Sequence, residues 1–355
     1  TDYLNRKMFL DPAGPVTIQR FEEVKYNKIV KFEQEARGFF WVPEEISLTK
    51  DKIDHKEASD AIKHIFTSNL LRQTALDSIQ GRAPSQVFGP VCSIPELEAL
   101  TLTWGFFETS IHSKSYSHII RNIYGVPKDE FNKIHDTDEI VSMAANVGHY
   151  YEELHQINCQ KELGMAVDTF THKKAIWMAL HASYALEALR FMVSFATSLA
   201  MVENKIYIGN GNIISLILQD ELLHTEWTAW LINHVIKDDA DFVQIQASTH
   251  NEVYNLYMDV INEEKAWAEY LFKKGVVIGL NSEILKDFVD YTAYNKLKDI
   301  GIKYLEHHPK SSPIPWFNKH VNINKKQTAL QENESTNYVI GVMSDNVDYE
   351  ELPVL

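Results

Sequence analysis

Cysteine is almost absent from this chain of 355 residues: Cys92 and Cys159 are the whole set, and they do not form a C-x-x-C pair. That argues against a disulfide scaffold and a thiolate zinc site, and suits a reducing cytoplasm. Glycine and proline are also sparse, at Gly 14 and Pro 11. Long stretches are therefore free of backbone breakers, which favours helix over a turn-rich β architecture. Positive charge is in short supply, with Lys+Arg 34 against Asp+Glu 49 and a formal net charge of −15. Binding phosphate needs clustered cations, so nucleic acid is not expected as a partner. Residues 1–19 lack a basic region followed by an apolar run, and no leader is expected. The most apolar stretch, residues 177–202, is interrupted by His181, Glu187 and Arg190. Placing such charges in lipid costs roughly 2.5–3.5 kcal/mol each, so a helix buried in a large soluble bundle is the better reading, with no membrane span.

What is present is 45% hydrophobic residues, enough for a sizeable core. Residues 1–20, broken by Pro12, Gly14 and Pro15, read as an N-terminal extended arm. The spacing of Phe21, Val24, Ile29, Phe32 and Ala36 predicts a helix over 21–36. Pro43-Glu44-Glu45 marks a turn or helix start. A long helix is expected over 58–78, ended by Gly81 and Pro84. Another is expected over 97–124, with Pro95 in its first turn and Gly125 and Pro127 beyond its end. Further helices are expected over 138–158, 171–204, 210–237, 241–274 and 282–300, with a turn at Gly275 and Gly279, a stop at Gly301, and irregular chain over 311–315. The fold class is all-α, without short repeats.

The last stretch differs. From 327 to 355 there are acids at Glu332, Glu334, Asp345, Asp348, Glu350 and Glu351 and no Lys or Arg. It is rich in Asn, Ser and Thr, a composition that does not pack on a core. It nevertheless ends in Tyr349, Leu352, Val354 and Leu355, apolar groups that suit a groove on a partner. The expected organisation is an arm (1–20), a helical domain (21–320) and a flexible tail (321–355).

The chemistry is carried by acids and imidazoles set into apolar helices. Asp77 follows Ala75-Leu76; Glu108 and His112 frame Thr109-Ser110-Ile111; Glu187 lies within Tyr184-Ala185-Leu186-Glu187-Ala188-Leu189; Glu221 and His224 frame Leu222-Leu223. Residues three or four apart share a helical face and can approach a common ion. Four carboxylates and two imidazoles from a four-helix core match the donor set of di-iron and di-manganese carboxylate proteins. Glu152 and His155 repeat the Glu-x-x-His spacing, but on a polar face, and read as solvated surface. An ion pair with Arg190, one turn away, is the competing account of Glu187.

Leu76-Asp77-Ser78-Ile79-Gln80-Gly81-Arg82, the run from His112 to Ile123 (His-Ser-Lys-Ser-Tyr-Ser-His-Ile-Ile-Arg-Asn-Ile), Leu186-Glu187-Ala188-Leu189-Arg190-Phe191, Asp220-Glu221-Leu222-Leu223-His224, Asn281 and Pro313-Ile314-Pro315-Trp316 closely resemble the small, radical-generating subunit of class I ribonucleotide reductase. The resemblance runs from about Phe39 to the C-terminus. It implies a ferritin-like homodimer with two Fe ions per subunit, manganese or a mixed Mn/Fe pair being the alternatives. In such a subunit O2 reacts with the reduced centre and a nearby tyrosine is oxidised to a radical. By match, Asp77, Glu108 and His112 bind one metal and Glu187, Glu221 and His224 the other, with Glu108 and Glu221 candidates to bridge. Tyr116 falls at the radical position, and Phe191, Phe195 and Ile217 match the apolar pocket around it. Trp41 and Asp220 match the radical-transfer route, Asp220 also being placed to hold His112; Tyr338 matches the relay between subunits. Residues 348–355 match the peptide that docks on the large catalytic subunit.

One departure stands out. The family usually places two residues between the first paired Glu and His, and here there are three, while Trp104 to Glu108 and His112 to Tyr116 keep the family spacing. In a regular helix the extra residue would turn His112 about 100° away from its place. A one-residue π-bulge over 109–111 would absorb it. Two other functions compete: a ferritin-like dimetal oxidase or hydroxylase acting on a small substrate, and an iron-storage protein. Both leave Trp41, Tyr338 and the acidic tail without a role.

Overall fold

The computed structural model describes residues 2–307 and 309–321, with the side chains of 144–147 left aside. Tyr338 and the docking residues 348–355 lie outside the described residues. The helices run in chain order α1 (Asn27–Gly38), α2 (Thr49–Glu57), α3 (Asp60–Gln80), α4 (Pro95–Phe106), α5 (Ser113–Ile123), α6 (Pro127–Asn132), α7 (Asp138–Glu162), α8 (Thr169–Ala185), α9 (Met192–Glu203), α10 (Ile208–Asp238), α11 (Ala240–Ser248), α12 (His250–Phe272), α13 (Ser282–Asp299) and α14 (Asn318–Val321). Among the described residues, β structure is confined to two isolated bridges, Phe9 with Cys92 and Val277 with Leu280.

Local chemistry sets most boundaries. Ser59 caps α3 by accepting from Ile62 N, Asp168 caps α8 through Thr171 N, and Asn281 caps α13 through Ile284 N; each satisfies an amide the first turn leaves unpaired. Pro95 sits in the first turn of α4, where its missing N–H costs nothing. The 31-residue α10 starts from Tyr207 in the left-handed region (φ 49, ψ 45). Its opening amides, Gly209 N and Asn210 N, are held by the buried Asp51 carboxylate at 3.0 and 2.7 Å, which also sits favourably against the helix dipole.

Three sequence expectations need correction. The first helix begins at Asn27, not Phe21. Phe21 is exposed, and the Glu96 carboxylate captures the Tyr26 amide at 3.0 Å just before the helix starts. Residues 241–274 form two helices separated at Thr249, whose backbone (φ −103, ψ 7) departs from helical angles while its amide and hydroxyl both bond the Ile245 carbonyl, at 2.9 and 2.7 Å. The stretch 171–204 is divided by a π turn, Leu186–Arg190, into α8 and α9. The N-terminal arm, while not helical, is packed: Tyr3, Met8 and Phe9 are buried, and Met8 N donates to Asp238 Oδ2 at 2.6 Å.

The core is formed by α3, the α4–α5 rod, α8–α9 and α10, with α7, α12 and α13 packed outside them. At Gly211 an added Cβ would lie 1.9 Å from Val202 Cγ2, so only glycine lets α10 approach α9 this closely. Residues 169–203 are the one helical stretch, among the described residues, long and apolar enough to cross a membrane, and 94% of its apolar window is buried in the bundle.

Candidate metal centre

Asp77 lies near the end of α3, Glu108 and His112 on the α4–α5 rod, Glu187 at the α8–α9 junction, and Glu221 and His224 midway along α10. All six are at most 1% exposed. Their donor atoms gather into two groups, Asp77–Glu108–His112–Glu221 and Glu108–Glu187–Glu221–His224, each within 4.8 Å. Glu108 and Glu221 belong to both. His112 Nδ1 stands 3.2 Å from Glu108 Oε2 and 3.2 Å from Glu221 Oε1. His224 Nδ1 stands 2.8 Å from Glu108 Oε1 and 3.3 Å from Glu221 Oε2.

Backbone irregularity makes this convergence geometrically possible. A π turn spans Phe107–His112, with the Ser113 N–H bonded to the Glu108 carbonyl five residues back. It covers the extra residue inferred from sequence, and His112 remains on the Glu108 face. The wider loop is pinned from outside by Thr109, whose Oγ1 donates to Gly81 O at 3.0 Å. A Cβ at Gly81 would lie 2.6 Å from that hydroxyl oxygen, so the end of α3 has to be glycine. Glu187 sits in another π turn, Leu186–Arg190, a third such segment among the described residues being Ala83–Phe88; sequence reading missed the turn at Glu187 because no fixed landmark brackets it.

Around the donors is a layer of holding contacts. Asp220 Oδ2 lies 2.9 Å from His112 Nε2 and accepts the Trp41 indole N–H at 2.8 Å. Since an ionised carboxylate only accepts, Nε2 donates to Asp220, and the ring is held with Nδ1 turned toward Glu108 and Glu221, the nitrogen that would ligate a metal on losing its proton. Glu187 Oε1 accepts from Trp104 Nε1 at 2.7 Å and from Gln80 Nε2 at 2.8 Å. Gln80 is itself held by Tyr151 OH at 2.6 Å, and Tyr151 OH meets Ser183 Oγ at 2.7 Å. The alternative pairing of Glu187 with Arg190 does not form; Arg190 goes to Glu263. Glu152 and His155 are exposed, as a solvated surface pair should be.

Electrostatics test whether cations fit. Both oxygens of Asp77, Glu187 Oε2 and both oxygens of Glu221 are buried without a hydrogen-bond partner, an arrangement that is costly unless a ligand completes it. Burial, then the neighbouring Glu108, drives the Asp77 carboxyl well above its ordinary range, and burial drives Glu187 up to about 8. Burial opposes charge on Glu108 as well, but His112 and His224 beside it prevail and hold it low. Burial likewise opposes protonation of the two imidazoles, and the carboxylates around them raise both well above the ordinary value. The cluster thus attracts positive charge strongly. Four carboxylates balance two divalent cations, and hard oxygens with two imidazoles suit iron or manganese. The residues fit a metal pair.

Tyr116 is fully buried, and its hydroxyl makes no well-formed hydrogen bond. Burial, then the charges of Asp77 and Glu221, hold its phenol well above the ordinary pKa. Phe191, Phe195 and Ile217 are fully buried, the two phenyl rings stacked at 5.2 Å.

A family model, "Ribonucleotide reductase, small chain", matches residues 19–313. The chain is 38% identical to the ribonucleoside-diphosphate reductase 1 subunit beta of Salmonella typhimurium, over 99% of this chain and 96% of that one. It is 33% identical to the subunit beta of Enterobacteria phage T4, over 98% and 95%. Among solved structures, the ribonucleotide reductase R2 subunit from Clostridium botulinum has the same fold, with a TM-score of 0.77 at 19% identity over 89% of this chain and 94% of that one. The dimanganese(II)-NrdF of Streptococcus sanguinis gives 0.70 at 19% identity, over 86% and 99%.

Proposed function

The chain belongs to the ribonucleotide reductase small-chain family, and from that premise we propose how its residues divide the work. It is the radical-generating small subunit of a ribonucleoside-diphosphate reductase, acting with a large subunit on the reduction of ribonucleotides to deoxyribonucleotides. In our reading Asp77, Glu108 and His112 would hold one metal and Glu187, Glu221 and His224 the other, with Glu108 and Glu221 the candidates to serve both. The observation that carries this is the sharing of those two carboxylates by both donor groups. We assign two irons per subunit, with a manganese or mixed pair as the alternative, the Streptococcus sanguinis neighbour being a dimanganese protein. Bound metal supplies the oxidising power, through dioxygen, for a one-electron oxidation.

The protein's own groups do the rest. Tyr116 is the residue oxidised, and its burial keeps water and reductants from the phenoxyl. Glu187 is oriented by Trp104 and Gln80, and His112 by Asp220. The Trp41–Asp220–His112 line provides a hydrogen-bonded exit toward the large subunit, with Tyr338 as the relay residue and 348–355 as the docking peptide. We place the subunit in the cytoplasm as a homodimer. An oxidase reading gives the Trp41 contact nothing to do.

The test is reconstitution with the large subunit, comparing the full chain with one lacking 348–355. The expected result is full metal loading in both, with complex formation and deoxyribonucleotide production only in the full chain. Equal activity in both would overturn the docking assignment; turnover of a small substrate without a large subunit would favour the oxidase.

A further inference from the structure

The second imidazole of the cluster has an aromatic neighbour of its own. Trp227, one turn beyond His224 on α10, stacks on its ring with centroids 4.5 Å apart and planes at 26°. Trp104, held by Glu187, meets Trp227 edge-on at 5.5 Å. The series then leaves the centre: Phe32 of α1 lies 6.3 Å from Trp227 and 6.4 Å from Trp230, and Trp230 lies 5.4 Å from Tyr26. Trp104, Trp227 and Phe32 are buried, Trp230 and Tyr26 half-buried, so the line runs from the donors to solvent. At its outer end Tyr26 OH donates to Asp238 Oδ1 at 2.6 Å, a carboxylate also held by Lys25 and by the Met8 amide.

Packing alone does not account for this choice of side chains. Cores are filled economically by Leu, Ile, Val and Phe, and tryptophan belongs where its N–H reaches a partner. Trp227 Nε1 is buried and has none. Indole and phenol are among the side chains most easily oxidised by one electron, and a phenol yields its electron more readily when a base stands ready for its proton.

We propose that Trp104, Trp227, Trp230 and Tyr26 form a second electron route, joining the His224 side of the centre to solvent and distinct from the Trp41–Asp220–His112 line. The proposal rests on the dimetal reading above. One electron leaves Tyr26, passes through Trp230 and Trp227, with Trp104 as the second indole at the inner end, and contributes to reduction of dioxygen at the centre. The Tyr26 O–H bond breaks and its proton goes to Asp238 Oδ1. A small thiol from solvent then gives the Tyr26 phenoxyl one hydrogen atom, restoring the phenol; two thiyl radicals combine as a disulfide, and Asp238 returns its proton to water. The route feeds reducing equivalents inward and spares the buried side chains when oxidation misfires.

The test reads the residues themselves. Protein loaded with ferrous ion is exposed to oxygen without reductant, digested and mapped by mass spectrometry, with metal quantified on the same samples. In the unaltered chain, oxidised Trp230 and Tyr26 accumulate, and added thiol suppresses them; metal-free protein treated identically shows neither. In Trp227→Phe with metal retained, both products fall to background while oxidation at Trp41 persists, and Trp227→Tyr restores them. Tyr26→Phe, remote from the metal ligands, lowers thiol consumption per oxygen consumed. Equal Trp230 and Tyr26 oxidation in Trp227→Phe, or none in the unaltered chain, overturns the route while the metal content leaves the dimetal reading standing. Failure to bind stoichiometric metal overturns both.

Discussion

Trp41 and Asp220, 179 positions apart in the chain, are joined by one hydrogen bond, indole Nε1 to carboxylate Oδ2 at 2.8 Å. The same oxygen faces His112 Nε2 at 2.9 Å, so one carboxylate orients an imidazole and an indole together. In Asp220→Asn the amide oxygen can still accept from both groups but carries no charge, so neither bond is charge-assisted. Contacts of this kind to a metal-ligating histidine are worth about 10–100-fold in affinity or activity. Deoxyribonucleotide formation with the large subunit should fall by about that factor, with the melting temperature nearly unchanged; activity within twofold of the unaltered chain would contradict the assignment.

The sharing of Glu108 and Glu221 between both donor groups sets an unequal pattern of metal loss. Glu221→Ala should abolish binding of both ions, whereas Asp77→Ala should leave the Glu187–His224 side able to bind one. Elemental analysis after dialysis reads the difference directly; equal loss in the two variants would contradict the bridging role. The unaltered chain should also melt higher with metal, since at one hundred times the dissociation constant binding adds about 2.7 kcal/mol.

Gly81 and Thr109 are locked together at the mouth of the Phe107–His112 π turn. Gly81→Ala forces the Thr109 hydroxyl away and should destabilise the protein by about 1–3 kcal/mol as an overpacked site. Thr109→Val removes the bond without the clash and should cost about 1 kcal/mol. Urea unfolding of both variants distinguishes clash from bond loss: equal effects would mean that the close approach at Gly81 is unimportant.

Why the π turn at Phe107–His112 was legible and that at Leu186–Arg190 was not follows from their surroundings. Trp104 to Glu108 and His112 to Tyr116 keep a fixed spacing on either side of 109–111, so an added residue between them is visible as a count. No such markers flank Leu186–Arg190, and the stretch reads as one continuous helix. The six clustered side chains were readable as acids and imidazoles set into apolar helices, and the family resemblance then proposed an order for them. The late start at Asn27 depends on a single side chain, the distant Glu96, and the break at Thr249 on one residue's backbone angles, neither of which periodicity registers. The Trp227–Trp230 series passed unnoticed because two tryptophans three apart on a helix look like ordinary core.

His181 gives a pH dependence with a definite sign. Burial alone holds its imidazole down to about 3 from an ordinary 6.5, with Nδ1 against Tyr257 OH at 2.8 Å. The unfolded chain therefore takes up the proton first, so the stability is fully present above pH 6.5 and is lost as pH falls toward 3. By pH 5 this group alone should remove about 2 kcal/mol. His181→Gln should lose correspondingly less between pH 7 and 5 in parallel urea titrations; an identical loss in both would show that His181 is not the group responsible.

The central claim is that this cluster, with its extra residue absorbed by a π turn, oxidises Tyr116. The most direct measurement is low-temperature EPR, with metal quantitation, after ferrous ion and then oxygen are added to the metal-free protein and to Tyr116→Phe. The account predicts two metals per subunit in both and a phenoxyl signal in the unaltered chain that is absent from the variant. A phenoxyl signal of equal intensity in Tyr116→Phe, or two bound irons that yield no tyrosyl radical in the unaltered chain, would contradict it.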